Sequence, residues 1–197
     1  PATGPISITG AHPGDRLRID ILDITVAARC IHTVRPGQGF LPELFQKPYP
    51  TVMDIVDSTV LFGARVRLPL RPSVGLVAVT PRQARRTVRG SGPYGGDLDL
   101  KELTAGSTVW LPVLVEEGLL VFGDCHAAMG DGAVGGTGAE VQAEVRVRIQ
   151  VEQGNRLKHP RVLTPDHLIT VASHRDLNQA MKQAVRDMVE FLVEERG

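Results

Sequence analysis

Cysteine is scarce. Cys30 and Cys125 are the two in 197 residues. Two thiols make no disulfide scaffold, and they fit a reducing compartment. Excess charge of either sign is also absent, with 22 Lys plus Arg against 22 Asp plus Glu. That balance argues against a partner held by phosphate neutralisation. No apolar run reaches the roughly 18 residues of a membrane span. The opening Pro1-Ala2-Thr3-Gly4-Pro5 shows no basic stretch followed by an apolar one, so no secretory signal is read there. Hydrophobic residues at 42% against 22% charged exclude wholesale disorder. The expectation is a soluble, cytoplasmic globular protein with a single domain over 1–197. A chain of this length buries roughly 70% of its unfolded surface and needs no staples. Turn formers are plentiful, with 21 Gly and 14 Pro.

Period-2 alternation dominates the pattern. From Val141 to Val151 the odd positions are apolar and the even positions are Gln, Glu or Arg. That describes a strand with one wet face, as in an antiparallel sheet. Leu17, Ile19 and Ile21 repeat the theme against Arg16, Arg18 and Asp20, after the turn His12-Pro13-Gly14-Asp15. Further runs at 58–70, 73–79, 108–115 and 119–122 read as short strands, with Pro112 marking an edge or bulge. The fold class is therefore mainly β, sandwich-like with mixed or antiparallel sheets, and α+β once the C-terminus is counted.

The last segment changes period. Leu177, Met181, Ala184, Met188 and Phe191 recur every three or four residues. They predict an amphipathic helix over 176–195, with its stripe packed on the core. Ser173 and Asp176 stand in a capping arrangement before it. Residues 33–57 carry six Pro and Gly and read as a long loop of the kind that covers a site or an interface. The run Arg82, Arg85, Arg86 and Arg89 reads as a solvated face.

The densest chemistry lies in Gly123-Asp124-Cys125-His126-Ala127-Ala128-Met129-Gly130-Asp131-Gly132, after the apolar run Leu119–Phe122. Extended geometry puts Asp124 and His126 on one side and Cys125 on the other. A carboxylate and an imidazole so placed bind a divalent metal, or act as a base and its orienting partner. The same alternation speaks against Cys125 as a nucleophile paired with His126. Asp97 and Asp99 share a parity within Gly90–Asp99 and form a second carboxylate pair. That segment lacks the Lys-Ser/Thr of a phosphate-binding loop. Asp23 continues the apolar face of Leu17, Ile19 and Ile21, so it either finds a partner or metal or lies wet beyond the strand end. Glu140 starts the 141–151 strand and stands at the rim of the same site.

These segments together resemble the acetamidase/formamidase family. The resemblance runs from Gly4-Pro5-Ile6 and Gly10-Ala11-His12-Pro13-Gly14-Asp15 through Gly95-Gly96-Asp97-Leu98-Asp99 and Leu103-Thr104-Ala105-Gly106-Ser107. It is strongest at Gly123-Asp124-Cys125-His126-Ala127, Gly130-Asp131-Gly132 and Glu140. It implies hydrolysis of a small aliphatic amide to carboxylate and ammonia, on a largely β fold, with a divalent metal, zinc first. Asp99, Asp124 and His126 are then the ligand candidates, with Asp23 a further one. Asp131 or Glu140 would move the proton to the leaving nitrogen. Two positions depart from the pattern. Ala133 stands where the family usually carries Glu, which opens the alternative of an impaired member serving as a binding or assembly module. Asp97-Leu98-Asp99 stands for the family's Asn-Met-Asp and adds a negative charge. The chain also reads as short at both ends. The remaining alternative is a hydrolase of another small C–N bond. Open sheet edges and the Pro-rich loop lead to an expected homo-oligomer, most simply a dimer.

Overall fold

The structure is a computed structural model and describes residues 2–83, 90–154 and 157–196. The strands in chain order are β1 (Ala2–Ile6), β2 (Arg16–Val34), β3 (Tyr49–Val56), β4 (Thr59–Phe62), β5 (Val66–Pro69), β6 (Ser73–Ala78) and β7 (Ser91–Gly92). They continue as β8 (Gly95–Asp97), β9 (Thr108–Pro112), β10 (Leu120–His126), β11 (Glu140–Glu152), β12 (Arg161–Leu163) and β13 (Leu168–Thr170), and the helix α1 (Leu177–Arg196) follows. The main path is β13-β12-β9-β2-β11-β10-β6-β8-β7, with β1 beside β10 and β3 to β5 branching from the far end of β2. Every strand pair is antiparallel. The fold is mainly β with one C-terminal helix. Among the described residues no helix is long and apolar enough to cross a membrane.

The path curls on itself, and its two arms enclose the core. Leu17, Ile19 and Ile21 of β2 with Val109 and Leu111 of β9 cluster with Val74 and Val77 of β6 and Leu120 of β10. Burying one such side chain contributes ~1.5–3 kcal/mol. Along β11 the half-buried and exposed positions alternate as its sequence dictates. Pro112 marks no edge, since β9 runs between β12 and β2. It is the strand's last residue, where a missing donor costs little.

Four local readings change. The loop expected over 33–57 narrows to 35–48, because β2 runs on to Val34 and β3 takes Tyr49–Val56. The strand from Arg16 continues to Val34, well past Ile24. Its partner register runs Val147 to Ile21 and then Arg146 to Asp23, so Leu22 is an extra, bulged residue. The bulge reverses the parity of everything after it, and Asp23 turns outward, exposed, accepting a hydrogen bond from Thr25 Oγ1 at 3.0 Å. The strand from Leu120 likewise runs on through Asp124 and His126.

The helix forms within one residue of the expected limits, but its packing differs. Leu177 is 82% exposed and Met181 58%, while Ala184, Met188 and Phe191 are half-buried. Among the described helix residues the most buried is Asp187, whose Oδ2 lies 2.8 Å from His159 Nδ1. Asp176 Oδ1 caps the first turn through the amides of Asn178 and Gln179, whereas Ser173 donates instead to Ser91 Oγ. Arg85, Arg86 and Arg89 lie outside the described residues.

Candidate metal centre

Four elements meet at one end of the curled sheet. β10 supplies Asp124 and His126, and Glu140 at the start of β11 pairs with His126 across the ladder. β8 ends at Asp97, and Asp99 follows two residues on. β6 runs between β8 and β10, and its register sets Gly75 opposite Asp124, since Leu76 faces Gly123 and Val74 faces Cys125. The amides of Leu98 and Asp99 both donate to Gly75 O, at 2.9 and 3.1 Å. With these two hydrogen bonds the chain curls, and Asp99 takes the left-handed region at φ 48°. Asp124 is left-handed too, at φ 54°. Asp tolerates this conformation better than most residues.

His126 is 1% exposed, and its Nε2 faces three carboxylates. The distances are 3.3 Å to Glu140 Oε1, 3.7 Å to Asp99 Oδ1 and 4.0 Å to Asp124 Oδ2. Glu140 Oε1 also accepts the Gly138 amide at 2.9 Å. Asp97, Asp99, Asp124 and Glu140 line a cavity of about 660 Å³, with Arg35, Gln38 and Gly39 from the 35–48 loop on its rim. That loop is held by the Phe40 amide on Val134 O. Thr137 ties the facing wall to β2, since Thr33 N donates to its hydroxyl and the hydroxyl donates to Thr33 O.

The electrostatics follow from so many acids in one place. Burial first, then the charges of Asp99 and Asp124, push Asp97 up to about 6. Burial also raises Asp99 and Asp124, with Glu140 adding to both. For His126 burial acts downward, but the hydrogen bond and charge of Glu140 overcome it and raise the imidazole. Glu140 is held low against its own burial by His126. Burial lifts the Cys125 thiol to about 11, so it carries no thiolate near neutrality.

The donor set fits a divalent cation. One ligand atom each from Asp99, Asp124 and His126 lies within 4.8 Å of the others, which suits bonds near 2 Å to a common centre. Asp99 Oδ1 is buried without a hydrogen-bond partner. Mutually repelling carboxylates with an orphaned acceptor among them are costly, and a cation among them removes that cost.

Of the residues expected from sequence, the structure brings together Asp99, Asp124, His126 and Glu140. It does not bring Asp23 or Asp131 to them. The parity argument fails for Asp23 at the Leu22 bulge, and Asp131 is 90% exposed and paired with Lys101. Asp97 enters the cavity as well, a place foreshadowed by its shared parity with Asp99. Gly75 carries no local signal, because the site residues around it come from strands far away in sequence.

The comparisons with known proteins bear on the whole chain. The sequence profile of the Acetamidase/Formamidase family matches residues 78–196. A formamidase of Methylophilus methylotrophus is 25% identical over 268 residues, covering 96% of this chain and 66% of its own length. A predicted acetamidase/formamidase of the thermophile Thermoanaerobacter tengcongensis superposes with a TM-score of 0.93 at 39% identity, covering 98% of this chain and 64% of that one. An acetamidase of Bacillus halodurans gives 0.93 at 38%, covering 99% and 66%. The chain thus spans slightly less than two thirds of these relatives, and it belongs to the acetamidase/formamidase family.

Proposed function

We propose that this chain hydrolyses a small aliphatic amide of the formamide or acetamide type to carboxylate and ammonia. The observation that carries this is the convergence of Asp99, Asp124 and His126 within 4.8 Å, in a chain of this family. Those three residues would hold a divalent ion, zinc first, which when bound polarises a carbonyl or acidifies a water. Asp99 and Asp124 offer anionic oxygen and His126 its Nε2.

Glu140 is the group suited to move the proton. It lines the cavity, its Oε1 is aimed by the Gly138 amide, and in the metal-free chain His126 holds it ionised. It takes a proton from the attacking water and delivers it to the departing nitrogen. Asp97 sits beside it with a pKa of about 6, a second site where a proton is held near neutrality. Asp131 is too exposed to share this role.

A second reading rests on Ala133, in the position of the usual family Glu: a member impaired in catalysis that binds or assembles. Ala133 is half-buried and is not among the residues lining the cavity. Ammonia release from formamide and acetamide, with and without added zinc, separates the two readings. Release that depends on zinc supports the hydrolase. No release from either amide, but release from Ala133→Glu, supports impairment, and activity confined to cyclic amides or ureides moves the substrate class. The chain is also proposed to form a homo-oligomer, most simply a dimer, which the exposed Leu177, Met181 and Val185 on α1 support. Two free, buried thiols are compatible with the cytoplasm.

A further inference from the structure

Gly75 lies against all three residues of the centre, although it offers no functional group. A Cβ built on it would lie 2.6 Å from His126 Cε1, 2.7 Å from Asp99 Oδ1 and 2.7 Å from the Asp124 carbonyl oxygen. These are the three residues of the candidate metal set. Its φ is not in the left-handed region, so the backbone itself does not demand glycine. Strand interiors ordinarily disfavour glycine. The conformational reason for its presence is therefore missing, and the spatial one remains.

Gly138 acts on the other edge of the same ring. Its Cβ would lie 2.7 Å from His126 Cδ2 and 2.9 Å from Cγ. Cε1 and Cδ2 are the two carbons that flank Nε2. The imidazole is therefore gripped by backbone at both edges, with Nε2 aimed between them at Glu140, Asp99 and Asp124.

We propose that Gly75 is a positioning residue: the space of its absent side chain is where Asp99, Asp124 and His126 converge, and a methyl group there displaces them from ligand geometry. This rests on the metal-centre reading above. Gly138 is the companion that fixes the opposite edge of the ring. Neither glycine touches substrate, and both act through the side chains they admit.

The test uses metal-stripped full chain titrated with zinc(II) by calorimetry and with cobalt(II) by visible absorption. Gly75→Ala and Gly138→Ala are compared with wild type, with His126→Ala, and with Gly132→Ala, where a Cβ meets open space. Displaced ligands weaken metal affinity by about 10–100-fold, the range for lost positioning contacts. Gly75→Ala is expected in that range with an altered cobalt spectrum, and Gly132→Ala at the wild-type value. The Tm loss caused by Gly75→Ala is measured again in an Asp99→Ala/His126→Ala background, where it should shrink because the contacts with Asp99 Oδ1 and His126 Cε1 are gone and only that with the Asp124 carbonyl oxygen remains. If Gly75→Ala fails to fold alone, folding in that background supports the proposal, and failure there too overturns it. Wild-type affinity in Gly75→Ala, or the same Tm loss in both backgrounds, overturns it as well. If wild type binds neither metal, the metal reading fails, and the Tm comparison still decides whether Gly75 makes room for these side chains.

Discussion

Glu140 Oε1 stands 3.3 Å from His126 Nε2, nearer than either aspartate of the cluster, and the Gly138 amide holds that oxygen from behind. The pair explains why a buried imidazole is raised while a buried carboxylate is lowered. Glu140→Gln keeps the shape and removes the charge. Ammonia release should then fall by about 10²–10⁴-fold, the usual worth of a positioned acid–base group. The His126 ring should also titrate lower in the metal-free protein, read by NMR. An unchanged rate would remove Glu140 from the chemistry.

Asp97 gives the centre a pH signature in the metal-free state. Its ordinary value of 3.8 is pushed to about 6 by burial and by Asp99 and Asp124. The folded chain thus holds this proton more tightly than the unfolded chain. The stability it contributes is fully present below pH 3.8 and is lost as the pH rises through 6. Asp97→Asn should flatten that window and raise metal-free stability at pH 7 by about 1–2 kcal/mol, a value lowered from the full shift by solvent screening. Urea denaturation at pH 5 and pH 7 checks it.

Cys125 is buried within the core cluster. Cys125→Ser should leave ammonia release intact and cost ~1–3 kcal/mol of stability, because a hydroxyl replaces a thiol in apolar surroundings. Loss of activity without loss of stability would return the thiol to consideration as a nucleophile.

Asp131 and Asp23 provide the contrast. Each is exposed, and the ion pair of Asp131 with Lys101 lies in solvent. Asp131→Asn and Asp23→Asn should each shift stability by less than ~0.5 kcal/mol and leave metal content unchanged. Metal analysis of the two purified variants decides it.

The helix carries a polar contact, Asp187 with His159, beside its half-buried apolar residues. Asp187→Ala leaves His159 without its partner and removes the acceptor of Gln183 Nε2, which lies 3.0 Å from Oδ1. A cost of ~1–3 kcal/mol is expected. Leu177→Ala, at an exposed position, should cost under ~0.5 kcal/mol. Thermal unfolding of both variants gives the comparison.

The legible parts were those set by local pattern. Val141 to Val151 showed its strand because alternation is a property of neighbours in sequence, and the 176–195 helix showed itself the same way. Asp124 with His126 was legible because two residues on one strand share a side by geometry. Asp23 was misplaced because one bulged residue, Leu22, reverses parity without any mark in the sequence. Leu177 was misplaced because periodicity shows that a stripe exists, not what covers it. Gly75 was silent, since its neighbours Asp99 and His126 reach it only through the β8-β6-β10 pairing.

The most direct measurement is the metal content of the purified chain after dialysis against zinc, for wild type and for His126→Ala. A single tightly held equivalent in wild type, absent from a His126→Ala variant that keeps its fold, is the expected result. Wild type that retains no metal, or a His126→Ala variant that retains as much, would contradict a metal centre built from Asp99, Asp124 and His126.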